Sequence, residues 1–215
     1  MTVQPMNVFI LNTGRCGSRT FARACAHITN YTSAHESRSG MLGDARFDYP
    51  ANHIESDNRL SWLLGRLDRR FGDRAFYVHL TRDVERVAAS WAKRSYTGMM
   101  NAYRHAILWH CPKDATPRVV ALDYCDTVGE NIRLFLRDKS HWMDFRLEEG
   151  RDRFPEFWRR IGAEGDLEAA LAEFDVRHNA AWEQRTEGAT PGWLPRIGSK
   201  LYRIGRKLPV FLRNA

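Results

Sequence analysis

The sequence is poor in several features that would each name a class of protein. Nowhere in its 215 residues is there a run of about 18 apolar residues, so no transmembrane helix is expected. Residues 1–7 lack both the basic stretch and the apolar core of a secretory signal, which predicts a cytoplasmic protein. The four cysteines, Cys16, Cys25, Cys111 and Cys125, form no C-x-x-C pair and no zinc-ligand spacing with histidine. Free, mostly buried thiols are expected. There is no internal repeat and no low-complexity stretch. Acids are absent from residues 193–215, which carry Arg196, Lys200, Arg203, Arg206, Lys207 and Arg213. That segment therefore holds six of the seven net positive charges, and the remaining 192 residues carry only +1. A near-neutral body argues against nucleic acid as a partner.

What is present fits one soluble α/β domain. Hydrophobic residues make up 43% and charged residues 27%, ordinary for a globular chain. Val8-Phe9-Ile10-Leu11 and Phe76-Tyr77-Val78-His79-Leu80 read as strands buried on both faces of a parallel sheet. Phe21, Cys25 and Ile28 form a helical stripe after the first run. Thr29 to Ser33 reads as a short strand ending near His35-Glu36, and residues 37–55 as irregular. Asp57 is expected to cap a helix carrying Leu60, Leu63, Leu64 and Leu67, with Gly72-Asp73 ending it. Later helices are expected from Val84, through Leu122 to Phe135, from Pro155 as first residue, and from an Asp166 cap. Residues 96–118 read as partly loop, and Trp142 to Leu147 as a short strand. Alternating strands and helices predict a three-layer α/β/α fold with a central parallel sheet. The domain is placed at residues 1–192, followed by a basic C-terminal tail at 193–215.

Between the first strand and the first helix lies Thr13-Gly14-Arg15-Cys16-Gly17-Ser18-Arg19-Thr20. A helix N-terminus offers free N–H groups and partial positive charge, so such a loop suits an anion. Gly14 and Gly17 allow close backbone approach, Arg15 and Arg19 supply charge, and Ser18 and Thr20 supply hydroxyls. The ATP-type pattern G-x-x-x-x-G-K-[ST] is not met: the glycines are three apart and Arg19 stands where a lysine belongs.

Gly14-Arg15-Cys16-Gly17-Ser18 resembles the 5′-phosphosulfate loop of sulfotransferases that use 3′-phosphoadenosine 5′-phosphosulfate (PAPS). That family also binds the donor's 3′-phosphate with an arginine at a strand end and a serine eight residues on; Arg82 and Ser90 are similarly spaced. It often carries a catalytic glutamate after the second strand, and Glu36 beside His35 is similarly placed. The resemblance spans about residues 7–92. Val84 stands where proline is frequent, Arg15 where lysine is, and the R-K-G-x-x-G-x-W closing motif is absent.

The resemblance implies in-line transfer of a sulfuryl group from PAPS to a hydroxyl, without a metal. Glu36 would be general base, with His35 an alternative base or a group that orients Glu36. Arg15 would stabilise charge on the leaving phosphate. Cys16, Gly17, Ser18, Arg19 and Thr20 would hold the 5′-phosphate, and Arg82 with Ser90 the 3′-phosphate. The acceptor is expected to be a small molecule or glycan, or a glycolipid. Arg38, His53 and Glu55 are candidate acceptor contacts, although the polar segment 47–59 reads equally as a hydrated loop and Arg38 as solvated. No motif encodes an oligomeric state. In the tail, Ile197, Leu201, Ile204 and Leu208 form an apolar stripe flanked by cations. This suits peripheral membrane contact at the cytoplasmic face, or docking on the domain or a second subunit. Two rivals remain: an ATP-dependent phosphotransferase with Asp83 as its magnesium acid, and a non-catalytic anion-binding module.

Overall fold

The structure, a computed structural model, describes residues 6–176. Its strands are β1 (Asn7–Leu11), β2 (Thr32–His35), β3 (His53–Ser56), β4 (Ala75–Thr81) and β5 (Trp142–Arg146). They form one sheet in the order β2-β3-β1-β4-β5, and every pairing is parallel. The helices are α1 (Ser18–Cys25), α2 (Leu64–Phe71), α3 (Val84–Ala92), α4 (Gly98–Ala102), α5 (Pro117–Leu136), α6 (Gly150–Ile161) and α7 (Leu167–Ala172). The three-layer α/β expectation holds. The end of the domain placed at 1–192 and the basic tail at 193–215 lie outside the described residues. No helix among the described residues is long and apolar enough to cross a membrane.

Two aromatic clusters join the layers. Val8, Phe9, Ile10 and Leu11 are all fully buried, because β1 is central and both its faces are covered. On one face Phe21 of α1 meets Phe145, Phe154 and Phe157, and Phe157 reaches Phe76. The next residue along β4, Tyr77, points to the other face, as the two-residue strand period requires. There it meets Phe135 of α5 and Phe9, and Phe9 meets Phe71 of α2. Each fully buried ring contributes about 1.5–3 kcal/mol by burial.

Three local expectations are corrected and one, for residues 96–118, is made specific. Residues 37–55 are not wholly irregular: they end in β3, whose four residues are all buried. Its sequence His-Ile-Glu-Ser carries no apolar alternation, because its polar side chains are satisfied by buried partners instead of water. Pro155 does not start α6; the helix begins at Gly150 and Pro155 lies inside it. Burial of Phe154 and Phe157 against the sheet outweighs the one backbone bond that proline removes. Asp57 caps a short 3-10 turn, Asn58–Trp62, and α2 starts only at Leu64. The stretch 96–118 contains α4 and a wide turn at Tyr103–Ile107, and Pro117 opens α5.

Candidate functional site

The C-terminal ends of parallel strands are where open α/β sheets bind ligands. The first residue beyond β1, Asn12, is fully buried; its amide donates to the Ile10 carbonyl at 3.1 Å and accepts from the Gly14 N–H at 2.8 Å. That turn delivers the chain into a left-handed conformation. Gly14, Arg15 and Gly17 have φ of 78°, 61° and 85°. Such turns aim successive N–H groups into one hollow and form an anion nest. Side chains are excluded at both glycines: a Cβ on Gly14 would lie 2.6 Å from Trp91, and one on Gly17 2.5 Å from Leu147. Gly17, the N-cap of α1, has no side chain with which to cap the helix.

The loop is clamped from α3 and α5. The Thr13 carbonyl accepts from Trp91 Nε1 at 3.2 Å and from the Tyr124 hydroxyl at 2.9 Å. Burial pushes the Tyr124 phenol well above its ordinary pKa, so it stays a donor. Cys16 is buried, with its Sγ on the Gly14 carbonyl at 3.2 Å and near Thr13 Oγ1 at 3.1 Å. Burial raises its pKa. Its thiol is thus bonded within the loop, and Cys16 lines a cavity with Thr13, Thr81 and Arg82.

Arg15, Arg82 and Ser90 come together across a sequence gap of 75 residues. Arg15 Nε donates to Ser90 Oγ at 2.8 Å, and Arg82 Nη1 reaches the Arg15 carbonyl at 3.4 Å. Arg82 lies 4.0 Å from Glu148, whose carboxylate also accepts from the Asp83 N–H. Asp83 itself caps α3 by accepting from Arg86 N at 2.9 Å. Arg19 and Thr20 lie in the first turn of α1, Arg19 exposed and Thr20 half-buried.

On the other side of β1, His35 Nε2 lies 3.0 Å from Ser18 Oγ, tying the end of β2 to the loop. Burial lowers the His35 pKa; Glu36 opposes that and Arg19 adds to it, so the imidazole is neutral near pH 7. Glu36 sits at φ 54°, an uncommon conformation for a non-glycine residue and one that clusters at functional sites. Its N–H donates to Ser56 O at 3.1 Å, and its carboxylate pairs with Arg59 at 2.9 Å.

The two candidate acceptor contacts on β3 are corrected by burial. Glu55 has no exposed surface and His53 is 6% exposed. His53 pairs with Glu55 at 3.1 Å, and Glu55 accepts from both the N–H and the hydroxyl of Ser37. Burial alone would raise the Glu55 pKa, but the bonds from His53 and Ser37 outweigh it and lower it. Glu55 thus holds the turn after Glu36 and does not face an acceptor. Arg38 keeps its place nearer the surface, donating to the Ala45 carbonyl at 3.1 Å with its guanidinium over Tyr49.

Arg59 and Asp57 belong to the polar segment 47–59, and their partners, Glu36 and Arg46, are what the sequence did not show. Asp57, fully buried, accepts from the Arg59 N–H at 2.8 Å and pairs with the buried Arg46, which also donates to the Tyr49 hydroxyl at 2.9 Å. Burial raises the Asp57 pKa, against the Arg59 amide and the Arg46 guanidinium. The available signal was a run of polar residues, Asp57-Asn58-Arg59, leaving a strand at the ligand-binding edge.

Together these features define a three-layer α/β fold with a left-handed glycine loop after its central strand. No protein-family model matches the sequence, and no curated protein matches it. Among solved structures, the sulfotransferase domain from the curacin biosynthetic pathway is similar in fold, with a TM-score of 0.57. The match covers 82% of this chain and 80% of that one, at 15% sequence identity. The architecture is accordingly sulfotransferase-like.

Proposed function

We propose that the chain is a sulfotransferase that takes a sulfuryl group from PAPS and transfers it to a hydroxyl of a carbohydrate or glycolipid. The observation that carries this reading is the convergence of Arg15 with Ser90 and Arg82 beside an uncapped, left-handed loop. The fit to the donor is chemical. Two phosphate groups need two cationic, donor-rich places, and the nest at residues 14–18 and the Arg82–Ser90 pair would supply them.

Bound there, the donor supplies an activated sulfuryl group attached to its 5′-phosphate. Backbone N–H groups of residues 16–20 would hold that phosphate, and Ser18 would add a hydroxyl. Arg15 would neutralise charge growing on the phosphate as it leaves; its guanidinium stays protonated and so acts by charge alone. Arg82 and Ser90 would hold the 3′-phosphate and exclude donors lacking it. Glu36 would accept the acceptor's proton as its oxygen attacks sulfur, and His35, neutral and 3.0 Å from Ser18, would steady the loop. The ATP-phosphotransferase rival is weakened because Asp83 is committed to capping α3 and the loop has no lysine.

The test is transfer of label from [35S]PAPS to a panel of glycosides and glycolipids by the full chain. Labelled product that depends on Glu36 supports the proposal. Phosphate transfer from ATP, with no transfer from PAPS, would contradict it.

A further inference from the structure

Glu36 meets a cation. Its carboxylate lies 2.9 Å from Nη1 of Arg59, a side chain 45% exposed. Arg59 is rigidly rooted, because its N–H donates to Asp57 Oδ1 at 2.8 Å. Asp57 holds it less closely than Glu36 does: their side chains are 4.0 Å apart, and Asp57 also pairs with the buried Arg46. Two further arginines lie near this pair, one in sequence and one beside His35. Arg38 follows Glu36 by two residues and keeps only one guanidinium nitrogen on the Ala45 carbonyl. Arg19 is exposed at the start of α1, within electrostatic reach of His35. Arg59 is the cation that Glu36 meets directly.

This arrangement poses a chemical difficulty that also suggests its resolution. A base held by an arginine is poorly placed to take a proton from a neutral hydroxyl. A second anion would change that, because guanidinium groups bind carboxylates and sulfates through paired hydrogen bonds. Exchanging one partly exposed ion pair for another costs little, since such pairs are worth about 0–1 kcal/mol.

We infer that the acceptor carries an anionic group, a carboxylate or sulfate, beside the hydroxyl that is sulfated, and that Arg59 binds this group and so frees Glu36. The inference rests on the sulfotransferase reading and names its substrate class. In the step itself, the freed carboxylate takes the hydroxyl proton while the acceptor oxygen bonds to sulfur. The bond from sulfur to the bridging phosphate oxygen breaks, and the phosphate keeps the electron pair. A neutral acceptor leaves Glu36 on Arg59, so the same pair selects substrate and gates the base.

The test compares matched acceptors with [35S]PAPS and the full chain: 4-nitrophenyl β-glucuronide against the β-glucoside, and an N-acetylglucosamine 6-sulfate glycoside against its unsulfated form. The expected result is at least one acidic member preferred by about tenfold or more in kcat/KM, equivalent to about 1.4 kcal/mol. Arg59→Met should bring that ratio close to one with affinity for 3′-phosphoadenosine 5′-phosphate unchanged, and Arg59→Lys should restore part of it. Equal or better use of both neutral partners, sulfation of no acidic member, or a preference that survives Arg59→Met overturns the inference. Failure of the wild-type chain to bind 3′-phosphoadenosine 5′-phosphate is a separate outcome and overturns the sulfotransferase reading together with it.

Discussion

On the β4 side of the central strand, the site is assembled from backbone. Left-handed residues shape the loop, a helix N-terminus faces the hollow, and Arg82 and Ser90 arrive on one strand–helix turn to meet Arg15. On the β3 side it is assembled from buried charge. His53–Glu55–Ser37 and Tyr49–Arg46–Asp57–Arg59–Glu36 form two chains of side-chain contacts running from the interior to the surface. On the backbone-built side the loop's shape comes from its left-handed residues. The charge-built side depends on every member, because removing one leaves another buried and unpaired.

The largest expected effect falls at the end of the charge-built side. Glu36→Gln should lower kcat by about 10²–10⁴-fold while leaving affinity for 3′-phosphoadenosine 5′-phosphate intact. Near-normal kcat would shift the base to His35 and erase the division of labour between the sides. Next is Asp57→Ala, which strands Arg46 among buried groups; denaturant unfolding should report a loss of about 3–5 kcal/mol. A loss no greater than that of an ordinary helix cap, about 1 kcal/mol, would mean that the buried pair is not what holds this side. Arg82→Ala should weaken binding of 3′-phosphoadenosine 5′-phosphate by about tenfold to a hundredfold with little change in stability. If stability fell as far as in Asp57→Ala, the contrast between the sides would fail.

The smallest effect is a pH dependence. Burial holds both His35 and His79 below the ordinary histidine value of 6.5. The unfolded chain therefore binds protons first as pH falls below about 6.5, and stability should decline through that window. Above it the contribution is fully retained. Thermal unfolding at stepped pH checks this, and His79→Gln should flatten part of the decline.

The same contrast explains what could be read from the residues. The β4 side is local: Gly14 to Thr20 lie in one turn, and the Arg82–Ser90 spacing follows from one strand and one helix. The spans of β1 and β4 were legible because parallel strands buried on both faces are written in apolar residues. The β3 side is written in polar residues that look solvated until their partners are known. Glu55 and Ser37 are 18 positions apart, and Arg46 and Asp57 are 11 apart. No periodicity links them, so β3 reads as irregular, and nothing local shows that His53 and Glu55 are buried. Arg59 reads only as one residue of the polar segment 47–59, because its pairing depends on where Glu36 points. Pro155 misled for a related reason: local preference placed it at a helix start, and the aromatic core overruled it.

The most direct measurement is calorimetric titration of the chain with 3′-phosphoadenosine 5′-phosphate, AMP and ATP under one set of conditions. The nest together with Arg82 and Ser90 predicts that the bisphosphate binds at least about tenfold more tightly than AMP, which lacks the 3′-phosphate, and that Arg82→Ala removes the difference. Binding of ATP with none of the bisphosphate, or equal binding of the bisphosphate and AMP, would contradict it.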